Sequence, residues 1–74
     1  MTAWGWDTVT AREMECVRLV VDGYENSQIA ERLFVAPGTV KFHLANVTRK
    51  LGVRSRVQVA VAYVREIEQR EAAA

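Results

Sequence analysis

The 74-residue sequence contains a single cysteine, Cys16, so it can form neither an internal disulfide nor a metal cluster of thiolates. That count fits a reducing interior and argues against a disulfide-stapled secreted module. No apolar run is long enough to span a membrane, and the first ten residues lack the basic and apolar regions of a signal peptide. We therefore expect one small cytoplasmic domain, or a piece of a longer chain, that does not use a membrane.

Acidic residues are missing from residues 32–65, which hold seven lysines and arginines. Residues 1–31 hold six acids and two such bases, and residues 66–74 hold three acids and one base. The net charge of +1 therefore hides an uneven distribution. A basic block of this length favours a polyanionic partner, although a solvated face whose acids come from the other segments is an equally good interpretation of charge alone.

Catalytic patterns are also missing. The sequence has no cluster of acids and nucleophiles, no glycine-rich phosphate loop and no convergent polar set, so we expect no enzyme activity and no cofactor. The lone histidine, His43, lies at the edge of an apolar stripe without a second ligand, and we predict a structural role and no metal site. Cys16 lies on a predicted buried face and is interpreted as a core residue.

Caps and helical periodicity predict four helices and no strand. The first covers about residues 11–22, beginning with a capping box at Thr10 and Glu13 and ending before Gly23. The second starts at residue 25 or 26 and runs to 33. The fourth opens at a capping box of Ser55 and Gln58 and is expected to end at about residue 68. We therefore expect a domain over residues 9–68 between two tails, residues 1–8 and 69–74.

The third helix, residues 37–51, begins with Pro37 and ends at Gly52. Its apolar residues recur at helical spacing and are predicted to face the core: Val40, Leu44, Val47 and Leu51. The opposite face is acid-free and holds Lys41, Phe42, Ala45, Asn46, Thr48 and Arg49. A short turn joins this helix to the second. Two helices joined in this way describe a helix-turn-helix, in which the second helix of the pair lies in the DNA major groove.

Five motifs occur together along the chain. They are T-x-R-E at 10–13, a glycine at 23, N-x-x-I-A at 26–30, P-G-T-V-K-x-H at 37–43 and K-L-G-V-R-S-R at 50–56. In this combination the sequence resembles, over residues 9–65, the LuxR-type helix-turn-helix, a DNA-binding domain at the C-terminus of many bacterial regulators. The resemblance implies a compact, all-α, four-helix domain whose third helix enters the major groove and whose fourth helix often pairs with a second copy.

The resemblance also implies which residues meet DNA. Four positions match base-facing sites: Lys41, Phe42, Ala45 and Asn46. Seven match positions that hold the DNA backbone: Asn26, Ser27, Thr39, Arg49, Lys50, Arg54 and Arg56. Phe42 and Ala45 are less polar than the residues of many relatives, which favours a contribution from DNA shape.

The fourth helix has two apolar stripes, so it should be buried on two sides. We expect one stripe to pack inward: Val59, Ala60, Tyr63 and Ile67. We expect the other to meet a second copy about a twofold axis: Val57, Val61 and Val64. Trp4 and Trp6 fit either the end of a linker or an interface, and the sequence does not choose between them.

The expected function is sequence-specific binding of double-stranded DNA by a homodimeric bacterial transcription regulator. Two alternatives stay open. One is a helical protein–protein adaptor that uses the fourth helix. The other is a promoter-reading module like that of a sigma factor, which acts only with RNA polymerase; RNA polymerase is therefore kept as a further candidate partner.

Overall fold

The computed structural model describes residues 5–73 as four α-helices preceded by a 3₁₀ turn at Trp6–Thr8, with no strand in that range. The helices are α1 (Ala11–Val21), α2 (Asn26–Leu33), α3 (Pro37–Leu51) and α4 (Arg56–Ala73). The predicted all-α, four-helix class with a helix-turn-helix is confirmed. Trp4, for which the sequence left two interpretations, lies outside the described residues.

The ends of α1 and α3 follow from local sequence signals. The Glu13 N–H donates to Thr10 Oγ1 at 3.1 Å, and the Thr10 N–H donates to the Glu13 carboxylate at 2.9 Å, so the predicted capping box is confirmed. α3 begins at Pro37 and ends at Gly52, whose φ of 70° is a left-handed conformation that glycine adopts without a steric penalty.

The turn between α2 and α3 contains a non-glycine residue in the left-handed conformation. Phe34 ends α2 with a φ of 60°, and its side chain is 94% exposed. The Val35 N–H donates to the Ala30 carbonyl at 3.0 Å and closes the turn. This short connection holds α2 and α3 as the two helices of the helix-turn-helix.

The start of α4 differs in detail from the predicted capping box. The Gln58 N–H donates to Ser55 Oγ at 3.2 Å, as expected. The Gln58 side chain, however, accepts a hydrogen bond from the Arg54 N–H at 2.6 Å, one residue before the expected donor. The amide side chain therefore caps the connection between α3 and α4 and orders Arg54.

α4 is longer than the sequence indicated. It runs to Ala73, past the predicted end at Glu68. No glycine or proline follows Glu68, and the next residues are good helix formers, so nothing local stops the helix. An ion pair one turn apart, Arg70 with Glu66 at 2.7 Å, adds to it.

The core has two parts that share α1 and α3. The first lies among α1, α2 and α3: Cys16, Val20, Ile29, Ala30, Val40 and Leu44. The second lies among α1, α3 and α4: Val17, Val47 and Val59. The predicted inner stripe of α3 is confirmed, with Leu51 half-buried at its end. Cys16 is fully buried, and this burial raises the pKa of its thiol.

The segment before α1 packs on this core. The rings of Trp6 and Tyr63 meet edge to face, with centroids 5.8 Å apart and an angle of 71°. Val9 packs on the same part of the core. Trp6, which the sequence left open between a linker and an interface, therefore contacts α4.

Candidate nucleic-acid interface

The face of α3 turned away from the core is open to solvent. Lys41, Ala45 and Arg49 are exposed, and Phe42 is exposed over 62% of its surface. Because Val40 is fully buried on the other side of the helix, α3 is not rotated in a way that would bury Phe42. The expected exposure of this face is confirmed.

A groove of about 370 Å³ lies beside this face, between α3 and the starts of α2 and α4. Its lining includes the cationic side chains of Lys41, Arg54 and Arg56 and no acidic residue. Five residues that the sequence assigned to DNA contact meet there: Asn26, Lys41, Ala45, Arg54 and Arg56. Residues from three helices and one connection thus form one cationic surface.

Arg56 is fixed at the edge of this groove. Its guanidinium donates to Asn26 Oδ1 at 2.8 Å and to the Tyr24 carbonyl at 2.9 Å, which ties the start of α4 to the start of α2. A guanidinium carries five N–H donors, so these two bonds leave others for a phosphate. Two residues predicted to hold the DNA backbone are therefore bonded to each other and act as one unit.

Lys50 lies apart from the groove. Its ammonium donates to Glu13 Oε1 at 2.6 Å and to the Thr8 carbonyl at 2.8 Å, and its side chain is only 16% exposed. The bonds join the end of α3 to the start of α1. Although the sequence assigned Lys50 to the DNA backbone, its charge is neutralised within the fold.

The ion pair with Lys50 affects the pKa of the Glu13 carboxyl. Its burial raises its pKa, but hydrogen bonds from Lys50 and Thr10 and the charge of Lys50 lower it by more, so the pKa lies below the ordinary value of 4.5. The carboxylate is therefore ionised at neutral pH and pairs with Lys50.

The other predicted contacts line the outer face or the helix starts. Ser27 is exposed and Thr39 is half-buried, in the first turns of α2 and α3. Asn46 is half-buried, and its Oδ1 accepts a hydrogen bond from Arg49 Nη2 at 2.9 Å. These residues do not line the groove.

The DNA contacts assigned from the sequence leave out two polar residues that line the groove, Thr48 and Ser55. Ser55 lines it between Arg54 and Arg56. It was interpreted only as the cap of α4, and its oxygen does accept the Gln58 N–H. Its position between two arginines was the available signal for a second role.

The outer stripe of α4 is exposed at three valines. Val57 is 68% exposed, Val61 44% and Val64 45%, whereas Val59 on the inner stripe is fully buried. Ile67, predicted to pack inward, is 36% exposed, because it lies at the rim of a cleft that Trp6 and Tyr63 also line. A shallow apolar groove of about 380 Å³ runs along the stripe, lined by Val61 and Val64 among others.

Two classes of site have no counterpart in the described residues. Among residues 5–73, no group of three histidine, cysteine, aspartate or glutamate side chains is placed to hold a metal ion. In the same range, every helix is too short or too polar to cross a membrane.

Comparison with known proteins identifies relatives of this fold and sequence. A family model described as "Bacterial regulatory proteins, luxR family" matches residues 7–63. Over 57 residues, or 77% of the chain, the sequence is 53% identical to a predicted helix-turn-helix transcriptional regulator of Mycobacterium bovis. It is 46% identical, over the same share, to the nitrate/nitrite response regulator protein homolog of Haemophilus influenzae. The matches span 6% and 27% of those two proteins.

A solved structure shares the fold. The response regulator StyR superposes with a TM-score of 0.77 and 35% sequence identity, covering 81% of this chain and 30% of that protein.

Proposed function

Because the chain belongs to the luxR family of bacterial regulatory proteins, we propose that it binds double-stranded DNA in a sequence-specific manner, with α3 in the major groove, as the DNA-binding part of a transcription regulator. The observation that carries this proposal is the exposed, acid-free face of α3 beside a groove lined by three cations. A polyanion with a concave surface is the partner that this combination fits. The activity is binding and not catalysis, in the cytoplasm and without a cofactor.

The outer face of α3 reads the bases. A major groove about 12 Å wide admits one helix. The Lys41 ammonium donates to the acceptors of guanine, and Phe42 contacts a thymine methyl. Ala45 is small enough to let the helix backbone approach the base edges. Asn46, the next residue, also faces the bases. Phe42 and Ala45 offer no hydrogen bond, so DNA shape adds to the specificity.

The residues around this face hold the phosphates. Arg54, Arg56 and Arg49 contribute charge, and three uncharged residues contribute hydrogen bonds: Asn26, Ser27 and Thr39. Such contacts fix the register of the protein on the duplex and carry no sequence information themselves. We leave Lys50 out of this set because its ammonium is already bonded to Glu13 and Thr8.

A second copy joins through α4. The exposed stripe of Val57, Val61 and Val64 is apolar along one side of the helix, and a twofold axis through it would bury both copies' valines. The dimer then meets two half-sites about one helical turn apart.

The test is selection of bound duplexes from a random pool, followed by titration of the recovered site. A palindrome with two half-sites is the expected result. If a dimer neutralises about 6–10 phosphates, its affinity falls by about 10³–10⁵ between 50 and 200 mM salt. Failure to enrich any duplex at low salt would contradict the proposal. Enrichment only with RNA polymerase present would favour the sigma-factor alternative, and a salt-insensitive protein partner would favour the adaptor.

Lys41 provides a sharper test within this experiment. If the ammonium meets a base edge, Lys41→Ala should weaken binding to the recovered site by about 1–3 kcal/mol and relax the preference for one base. Equal losses on the recovered and a scrambled duplex would instead assign Lys41 to phosphate. Arg18→Ala is a matched control, because Arg18 is an exposed cation that lines a different cleft, between α1 and α4.

A further inference from the structure

The side chain of Asn46 is oriented by Arg49. Arg49 Nη2 donates to Asn46 Oδ1 at 2.9 Å, across one turn of α3. A guanidinium can only donate, so the atom of the amide that faces it is the oxygen. The two N–H donors of the amide therefore point away from Arg49.

This orientation limits what Asn46 offers to a base. An asparagine that reads adenine uses both ends of its amide: the oxygen accepts from the N6 amino group while the nitrogen donates to N7. Here one lone pair of the oxygen is used, and a cationic guanidinium lies beside it. An adenine amino group, whose hydrogens are also positively polarised, would approach a like-signed neighbour.

We propose that Asn46, oriented by Arg49, is a specificity-determining donor that selects a base edge made only of acceptors, guanine above all, and discriminates against adenine. Guanine presents N7 and O6 as acceptors in the major groove, and thymine presents O4. Arg49 is then a positioning residue that acts through Asn46. The inference rests on the proposed placement of α3 in the major groove.

A simpler role for Arg49 makes a different prediction. An arginine that only contacts phosphate contributes the same free energy to every duplex and leaves base preference unchanged. Base preference is therefore the readout that separates the positioning role from a phosphate contact.

The experiment measures affinity of the full 74-residue chain for duplexes that carry each of the four base pairs at each position of the selected site. Wild type should prefer guanine over adenine at one position in each half-site by about fivefold or more. Asn46→Ala should flatten that preference. Asn46→Asp can keep the bond to Arg49 but has no donor, so it should also lose the guanine preference.

The decisive variant is Arg49→Met. It removes the guanidinium from the amide oxygen, and we expect the guanine-to-adenine ratio at the Asn46 position to fall at least threefold while overall affinity also drops. Arg54→Met is the matched control: it should weaken all duplexes alike and leave the ratio unchanged. Asn46 is only half-buried and Arg49 is exposed, so these variants should keep the fold, which circular dichroism checks.

Two outcomes would overturn the inference in distinguishable ways. If Arg49→Met weakens every duplex equally and the ratio stays constant, DNA binding stands and the coupling of Arg49 to Asn46 is wrong. If wild type shows no base preference anywhere, or binds no duplex, the proposed function itself fails and the inference fails with it.

Discussion

Replacing Lys50 with methionine should destabilise the fold more than replacing any exposed cation. The Lys50 ammonium bonds both Glu13 and Thr8, and the side chains of Lys50 and Glu13 are 16% and 5% exposed. Lys50→Met keeps most of the side-chain volume but leaves the Glu13 carboxylate with the Thr10 N–H as its hydrogen-bond donor among residues 5–73. Removing one partner of a buried pair costs about 3–5 kcal/mol, and the residual exposure of Lys50 places the loss near 3 kcal/mol.

This loss is large for a domain of this size, whose total stability is on the order of 5 kcal/mol. Urea unfolding followed by circular dichroism measures it, with the exposed Arg12–Glu15 pair as the control. Both of those side chains are about half exposed, so Arg12→Met should cost less than about 1 kcal/mol. A Lys50→Met loss no larger than that of Arg12→Met would refute the reasoning.

A double-variant cycle isolates the ion pair from the loss of packing. Glu13→Gln combined with Lys50→Met removes both charges. The double variant should therefore lose less unfolding free energy than the sum of the two single losses, by about 1–3 kcal/mol. Additive losses would mean that the two side chains do not stabilise each other.

The pH dependence follows from the sign of the Glu13 shift. Its pKa is lower in the folded chain than the ordinary 4.5, so its contribution is fully present above 4.5 and is lost as the pH falls through the lower, folded value. The difference in unfolding free energy between wild type and Glu13→Gln should therefore shrink as the pH is lowered below about 4.5. A difference that stays constant down to pH 3 would contradict the cause assigned to the shift.

Three further predictions concern the interface and the turn. In anisotropy titrations, Arg54→Met should reduce the slope of log affinity against log salt by about 1, whereas Lys50→Met should leave the slope unchanged. Equal slopes for the two variants would contradict the assignment of Arg54 to phosphate and of Lys50 to an internal ion pair. Val61→Glu should give a monomer in sedimentation equilibrium. It should weaken binding to DNA with two half-sites but not to DNA with one. An unchanged dimer would mean that this stripe is not the interface. Phe34→Gly should raise the unfolding free energy by about 0.5–1 kcal/mol, since the exposed ring loses no packing and glycine relieves the left-handed strain; a loss of stability would mean that the ring contributes contacts in solution.

The helices could be predicted because their signals are local. The Thr10–Glu13 capping box, Pro37 and Gly52 each act within a few residues of a helix end, and the structure has α3 over the predicted residues. The predicted end of α4 at about residue 68 was wrong, because no glycine or proline follows Glu68 to stop the helix. Helix propensity and the Arg70–Glu66 pair continue the helix without a core beneath it.

The tertiary contacts of the basic residues were not predictable from the chain. Lys50 and Glu13 are 37 residues apart. Helical periodicity places Lys41 on the outer face of α3 and leaves Lys50 off it, but periodicity does not show that Lys50 meets Glu13. The bond between Asn46 and Arg49 is different, because a spacing of three places side chains on neighbouring turns of one helix. That pair was open to prediction from sequence, whereas the internal use of Lys50 required the packing of α1 against α3.

The most direct test of the central claim, that the outer face of α3 enters the major groove, is methylation interference with dimethyl sulfate on the selected site. This reagent modifies guanine N7 in the major groove and adenine N3 in the minor groove, so one experiment examines both grooves. We predict that methylation of guanine N7 within each half-site blocks binding and that methylation of adenine N3 does not. Interference at adenine N3 alone would contradict the account.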